Sequence, residues 1–63
     1  MQTKIETTDG ECTFITQQYE IGLYVAIYQG GRCVSQNTSN KKEEAFHKSI
    51  RKKALKQGHK ILD

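Results

Sequence analysis

LYVAIYQGGRCVSQ, residues 23–36, is the segment that decides the fold class. Its first half is rich in β-branched and aromatic residues, which is typical of a strand. Gly30-Gly31 then provides a two-residue turn, because a type I′ turn needs positive φ at both central positions. The segment that follows, 32–36, is predicted to return as the partner strand. These residues therefore predict a β-hairpin.

The two faces of this hairpin differ in character. If the turn has two residues, Ile27 is predicted to face Val34, and Tyr28 is predicted to face Cys33. One face then carries the aliphatic residues Leu23, Val25, Ile27 and Val34. The other face carries Tyr24, Ala26, Tyr28 and Cys33. We expect the aliphatic face to be covered by a helix.

A second turn signal, Asp9-Gly10, predicts another hairpin before this one. Counting outward from a two-residue loop pairs Ile5 with Phe14 and Thr7 with Cys12, all on one face of the sheet.

A helix is predicted after the hairpins. Asn40 followed by Glu43 resembles a capping box, with Ser39 as an alternative cap, and Gly58 is a good C-terminal stop. The predicted buried stripe consists of Phe46, Ile50 and Ala54, with Leu55 at its edge. Glu44 and Lys48 are predicted to form an i,i+4 ion pair, and His47 is expected to be partly covered and partly wet.

These elements predict the architecture. The fold class is α+β: an antiparallel meander of three to four strands, formed by two hairpins and packed against one C-terminal amphipathic helix. Residues 17–22 are expected to be either a loop or a continued strand. Ile61 and Leu62 are expected to tuck back onto the core. At 63 residues, the chain is predicted to be a single domain, 1–63.

The net charge of +3 is unevenly distributed. Residues 1–37 have two basic and four acidic residues, a charge of −2, whereas residues 38–63 have eight basic and three acidic residues, a charge of +5. This asymmetry favours a polyanionic partner.

The predicted helix carries most of that basic charge. Lys48, Lys52 and Lys56 are successive i,i+4 like-charge neighbours, an arrangement that costs a few tenths of a kcal/mol per pair. Lysines on a helix suit phosphate contact, although a solvated helix face is an equally open interpretation. The predicted nucleic-acid-binding residues are Lys41, Lys42, Lys48, Lys52, Lys53 and Lys56, assisted by Arg32.

Three tyrosines form a second candidate site. Tyr24 and Tyr28 lie on the face away from the predicted core, with Tyr19 nearby. Exposed aromatic residues on a sheet can stack on bases. They can also pack against a second subunit or the other hairpin, and a chain this small favours packing because it needs the buried area.

The sequence does not favour an enzyme. No catalytic or phosphate-binding motif is present, and a small sheet is expected to offer little cleft volume. His47, His59, Cys12 and Cys33 lack the spacing of a zinc site, so we expect no metal, no cofactor and no small-molecule substrate. No apolar run is long enough to span a membrane. We expect a cytoplasmic protein in which both cysteines are small buried thiols and do not form a disulfide.

Residues 22–46, GLYVAIYQGGRCVSQNTSNKKEEAF, resemble the strand–turn–strand–helix unit of small DNA-binding domains. The segment is similar to the arm-binding N-terminal domain of tyrosine integrases, in which a three-stranded sheet enters the DNA major groove. It is also similar to the second half of a double-stranded-RNA-binding domain. That resemblance implies phosphate contacts for Lys41 and Lys42.

The leading hypothesis is therefore a small nucleic-acid-binding accessory protein of phage or mobile-element origin. The alternative is a protein-interaction module, either a homodimer or a small inhibitor of a host protein. Such a module would use the tyrosine face or a sheet edge.

Overall fold

The computed structural model describes residues 1–62 and shows one antiparallel sheet packed against one helix. The elements are β1 (Gln2–Thr7), β2 (Gly10–Tyr19), β3 (Gly22–Gln29), β4 (Arg32–Ser39), α1 (Glu43–Lys56) and β5 (Lys60–Ile61). The strand order is β4-β3-β2-β1-β5. The predicted α+β meander with one helix is confirmed, and β5 adds a strand that the sequence analysis did not include.

The hairpin of β3 and β4 turns at Gly30-Gly31, whose φ angles of 59° and 81° are both positive. Tyr28 pairs with Cys33, as predicted. The predicted pairing of Ile27 with Val34 is wrong, because a β-bulge shifts the register and Ile27 pairs with Ser35. The extra residue, Val34, is 56% exposed and is not part of the core.

The hairpin of β1 and β2 has a different register from the predicted one. Its turn residues are Thr8-Asp9, so Ile5 pairs with Cys12 and Thr7 pairs with Gly10. The physical reason is that Asp9 does not adopt positive φ, whereas Gly10 does, with φ of 109°. Since the pairing moves by two residues, every side chain stays on its predicted face.

The segment between the hairpins is a continued strand, which was one of the two alternatives. β2 extends to Tyr19, which pairs with Gly22 across a turn formed by Glu20-Ile21. Ile21 lies at the tip of this turn and is 97% exposed.

The helix ends as predicted but begins differently. At its C-terminus, the amide of Gly58 bonds to the carbonyl of Leu55, and the amide of His59 bonds to that of Ala54. This is a Schellman motif with Gly58 at positive φ. At its N-terminus, the predicted capping box is wrong, because Lys42 is the cap residue and makes no side-chain cap bond.

The N-terminus of α1 is held by a residue of the sheet instead. The backbone amide of Glu43 donates to Oε1 of Gln18 at 3.0 Å. Ser39, the alternative cap, accepts a hydrogen bond from the amide of Lys41, outside the helix. A cap from a distant strand cannot be recognised from local sequence spacing.

The buried stripe of α1 departs from the predicted one. Ala54 is buried, whereas Phe46 and Ile50 are half-buried. Leu55 is 65% exposed. The expectation for His47 is wrong, because its side chain is completely buried.

The helix lies over β1, β2 and β5. The buried apolar residues are Ile5, Leu23, Val25, Ala26 and Ala54. Of the predicted aliphatic face, Leu23 and Val25 are buried and Ile27 is half-buried. Ile61 returns to the sheet by pairing with Ile5 in β5, as expected, while Leu62 stays partly exposed.

Candidate nucleic-acid interface

Lys48, Lys52 and Lys56 form a row along the outer surface of α1, which we call the lysine ridge. All three are exposed, and the helical rotation places them opposite the buried side chains of His47 and Ala54. Residues four apart on a helix have Cβ atoms about 6 Å apart. The row therefore presents three ammonium groups along about 12 Å of the helix axis.

The ridge lysines have no ionic partner among residues 1–62. The ion pairs in this part of the chain join Lys4 to Glu11 at 3.7 Å and the terminal amine of Met1 to Glu43 at 3.4 Å. The predicted pair of Glu44 with Lys48 is therefore not formed. The ridge is a cationic surface that no carboxylate of the described chain neutralises.

The other predicted phosphate contacts are distributed unevenly around this ridge. Lys41 and Lys42 are exposed and precede the first turn of α1. Lys53 lies on the flank of the helix that faces the sheet. Arg32 begins β4, which is at the sheet edge remote from β1 and β5, where the helix packs. The structure thus brings the lysines of the helix region together and leaves Arg32 apart.

The tyrosines occupy the sheet face that α1 does not cover, which we call the tyrosine face. Tyr24 and Tyr28 alternate along β3 with the buried Leu23 and Val25, so they point away from the helix. Both are half-buried, whereas Tyr19 is 51% exposed. The lysine ridge and the tyrosine face therefore point in opposite directions, and a short ligand cannot contact both.

The N-terminal half of α1 meets the sheet through hydrogen-bonded side chains, which we call the polar cluster: Thr3, Thr16, Glu43 and His47. Oγ1 of Thr3 lies 2.7 Å from Nδ1 of His47, and Oγ1 of Thr16 lies 2.7 Å from Nε2. Thr16 also donates to Oε2 of Glu43 at 2.6 Å. Thr3, Thr16 and His47 are buried.

These distances indicate which nitrogen of the His47 imidazole carries the hydrogen. The single hydroxyl hydrogen of Thr16 serves the carboxylate of Glu43, so Nε2–H of His47 donates to Thr16 and Nδ1 accepts from Thr3. Burial lowers the pKa of His47, which keeps the ring neutral. The hydrogen bond from Thr16 lowers the pKa of Glu43 and keeps that carboxylate ionised.

This cluster was not predicted from the sequence, because threonine is mostly exposed in folded proteins and histidine is buried less often than apolar residues. A usable signal was present. Thr3 shares a strand face with Ile5, Thr16 shares one with Phe14, and His47 lies seven residues before Ala54 on the same side of the helix. The periodicity placed these polar residues on the core side, and only their residue types argued against it.

The C-terminal half of α1 meets the sheet differently, across an open groove of about 430 Å³ that we call the apolar groove. Its lining residues are Ile5, Thr7, Cys12, Phe14, Ile27, Phe46, Ile50, Lys53, Ala54, Gln57 and His59. The expectation of little cleft volume is therefore wrong. Burial raises the pKa of the Cys12 thiol, so this thiol is protonated and weakly nucleophilic where it lines the groove. Both cysteines are free thiols, as expected, but the expectation that they are buried is wrong, because Cys12 is half-buried and Cys33 is exposed.

Within residues 1–62, no group of three or more histidine, cysteine or acidic side chains could hold a metal ion. No helix in the same range is long and apolar enough to cross a membrane. No family model, curated protein or solved structure matches this chain. The resemblance to DNA- and RNA-binding domains, the phage or mobile-element origin and the cytoplasmic location therefore stay predictions.

Proposed function

We propose that this chain is a small non-enzymatic nucleic-acid-binding protein that contacts phosphates through the lysine ridge. The observation that carries the proposal is the row of exposed Lys48, Lys52 and Lys56, one helical turn apart and without ionic partners in the described chain. Placing three like charges in succession destabilises a helix slightly. A polyanion bound along the row would offset that cost.

Binding of this type derives its free energy from counterion release. Each phosphate that a lysine neutralises frees condensed cations, so affinity falls linearly with salt on a double-logarithmic plot. For duplex DNA, three contacts from the ridge predict a slope of about −2.7, and two more from Lys41 and Lys42 predict about −4.5. Lysine ammonium groups read no bases, so we expect little sequence preference.

The test is a fluorescence-anisotropy titration of labelled duplex DNA, single-stranded DNA and RNA at two salt concentrations. A variant with Lys48→Gln, Lys52→Gln and Lys56→Gln removes the ridge. The matched control carries Lys4→Gln and Lys60→Gln, two charges outside the predicted binding residues, and is compared with the ridge pair Lys48→Gln and Lys52→Gln, which removes the same charge.

We expect the ridge variant to bind at least tenfold more weakly at low salt and the control to lose less than about threefold. Equal losses in the ridge pair and the control would show that net charge alone attracts nucleic acid and would contradict a ridge site. Absence of salt-sensitive binding to all three ligands would contradict the proposed function.

The second candidate function is protein–protein interaction through the tyrosine face. One observation favours it: no element of residues 1–62 covers this face, although Ile15 and Tyr19 are exposed there beside Tyr24 and Tyr28. A second copy would bury these side chains. Size-exclusion chromatography with light scattering measures the mass, and Tyr28→Asp is expected to convert a dimer to a monomer. A dimer that survives this change would not use the tyrosine face.

A further inference from the structure

The interface between α1 and the sheet inverts the usual distribution of side chains. In the polar cluster, Thr3 and His47 are completely buried. Around the apolar groove, the larger apolar residues remain half-buried, namely Phe14, Ile27, Phe46 and Ile50. A chain of 63 residues needs every available apolar contact for stability. Large side chains that remain partly wet around one groove therefore indicate a binding surface.

Small residues create the volume of the groove. Thr7 and Cys12 on the sheet and Ala54 on the helix lie where larger side chains would fill the space. The resulting volume of about 430 Å³ falls in the range of small-molecule pockets, about 300–1,000 Å³. A ligand of modest size would contact the rings of Phe14 and Phe46 and the side chains of Ile27 and Ile50.

The groove has an apolar body and a polar end. The polar end carries Lys53, Gln57 and His59, from the last turns of α1 and the residues after it. Among residues 1–62, no acidic side chain lines the groove. The carbonyl groups of Lys53, Ala54 and Leu55 already accept hydrogen bonds from the amides of residues 57–59, which leaves the ammonium of Lys53 as the full charge at this end of the groove.

We propose that the apolar groove binds a small amphiphilic carboxylate. Its hydrocarbon body would lie against Phe14, Ile27 and Phe46, and its carboxylate would meet Lys53, with Gln57 as a further donor. This site is separate from the lysine ridge, and the proposal does not depend on nucleic-acid binding.

The two cysteines allow the site to be tested in the natural chain. Cys12 lines the groove, whereas Cys33 is exposed on β4 and lies outside it. We would measure the alkylation rate of each thiol by N-ethylmaleimide with peptide mass spectrometry. The measurement is repeated with straight-chain carboxylates of six to twelve carbons, below their micelle concentrations. Cys33 serves as the internal reference.

The expected result is saturable protection of Cys12 by the carboxylates with no change at Cys33. Decanol has the hydrocarbon chain of decanoate without its charge. We expect decanol to protect Cys12 with about tenfold lower affinity, because it lacks one charge-assisted hydrogen bond. Lys53→Gln is expected to lower the affinity for decanoate by a similar factor. The matched variant Lys52→Gln, one residue away on the solvent side, is expected to leave decanoate binding unchanged.

Four outcomes would overturn the proposal. The first is no protection of Cys12 by any of the carboxylates. The second is equal protection of Cys12 and Cys33, which indicates non-specific association. The third is equal weakening by Lys53→Gln and Lys52→Gln. The fourth is protection of Cys12 that increases with protein concentration and does not depend on the carboxylate concentration. That result would indicate that a second copy of the chain occupies the groove.

Discussion

The polar cluster and the apolar groove are two ends of the same helix–sheet interface, yet they are built by opposite means. The polar cluster is closed, with short hydrogen bonds that satisfy both nitrogens of His47. The apolar groove is open and lined mostly by hydrocarbon. The comparison teaches that directional bonds between matched partners can hold a helix in place, so that the rest of its apolar face is free to leave a cavity.

Removing the imidazole is expected to have the largest effect. His47→Ala deletes a completely buried ring and leaves the hydroxyl of Thr3 without its acceptor, so we expect a loss of about 3 kcal/mol in the free energy of unfolding. Stability of about 0.05–0.15 kcal/mol per residue makes this a large share of the total. Urea unfolding followed by circular dichroism measures it.

The control for that variant is His59→Ala, which truncates a half-buried histidine outside the polar cluster. It is expected to cost less than about 1 kcal/mol. If the two variants lost equal stability, the polar cluster would not be the part that holds the helix.

At the other end of the interface, Ile50→Ala is expected to cost about 1–2 kcal/mol. Fully buried isoleucines lose about 2–5 kcal/mol on truncation, and Ile50 is only half-buried beside an existing groove. The same urea titration checks this value. A loss as large as that of His47→Ala would mean that the apolar groove is closed in solution.

Acid should weaken the polar cluster selectively. The folded-state pKa of His47 is lowered, so the unfolded chain binds the proton more readily. The stability that depends on the neutral ring is present above the unfolded pKa of about 6.5 and is lost as the pH falls below it, by at most about 1.4 kcal/mol per pH unit. Unfolding at pH 7.5, 6.5 and 5.5 measures this slope.

The variant His47→Gln should flatten that slope, whereas His59→Gln should keep it. Glu43 adds a second loss at lower pH, because its folded pKa is also lowered and its stabilising effect disappears as the carboxylate is protonated. A slope near pH 6 that persists in His47→Gln would assign the pH dependence to another group.

The smallest effect is expected at Leu55, the residue predicted to edge the buried stripe. Because its side chain is 65% exposed, Leu55→Gln should change the free energy of unfolding by less than about 0.5 kcal/mol. A larger loss would place Leu55 in a contact that residues 1–62 do not show. The result therefore tests whether only one flank of α1 is engaged with the sheet.

Local chemistry made much of this fold predictable. Both glycines of the Gly30-Gly31 turn have the positive φ that the turn type requires, and Gly58 ends the helix as expected. In β1, β2 and β3 the face of each residue followed from the period of two, even where the register of the first hairpin was shifted, whereas the bulge in β4 left Val34 exposed. Local rules worked wherever a residue type has a single conformational role.

Most features that could not be predicted depend on distant partners. The cap from Gln18 and the pairing of β5 with β1 join segments far apart in the sequence. The bulge beside Val34 is local to its hairpin, but the two-residue turn before it gave no sign of an extra residue. The polar cluster joins residues 44 and 31 positions apart. The lysines of the candidate interface could be identified from the charge distribution of the sequence. The apolar groove could not be predicted, because it forms where small side chains of the helix and of the sheet face each other.

The position of β1 has a consequence for how the protein forms during synthesis. β1 is first in the chain, yet it lies between β2 and β5, and its Thr3 hydroxyl is satisfied by His47. A nascent chain can close its hairpins early, but Thr3 and Thr16 must remain hydrated until residue 47 leaves the ribosome. The second side of β1 stays unpaired until residues 60 and 61 follow. Translation therefore delivers β5 after the other four strands of the sheet, and a chain that stalls before β5 exposes an unprotected strand edge to its neighbours.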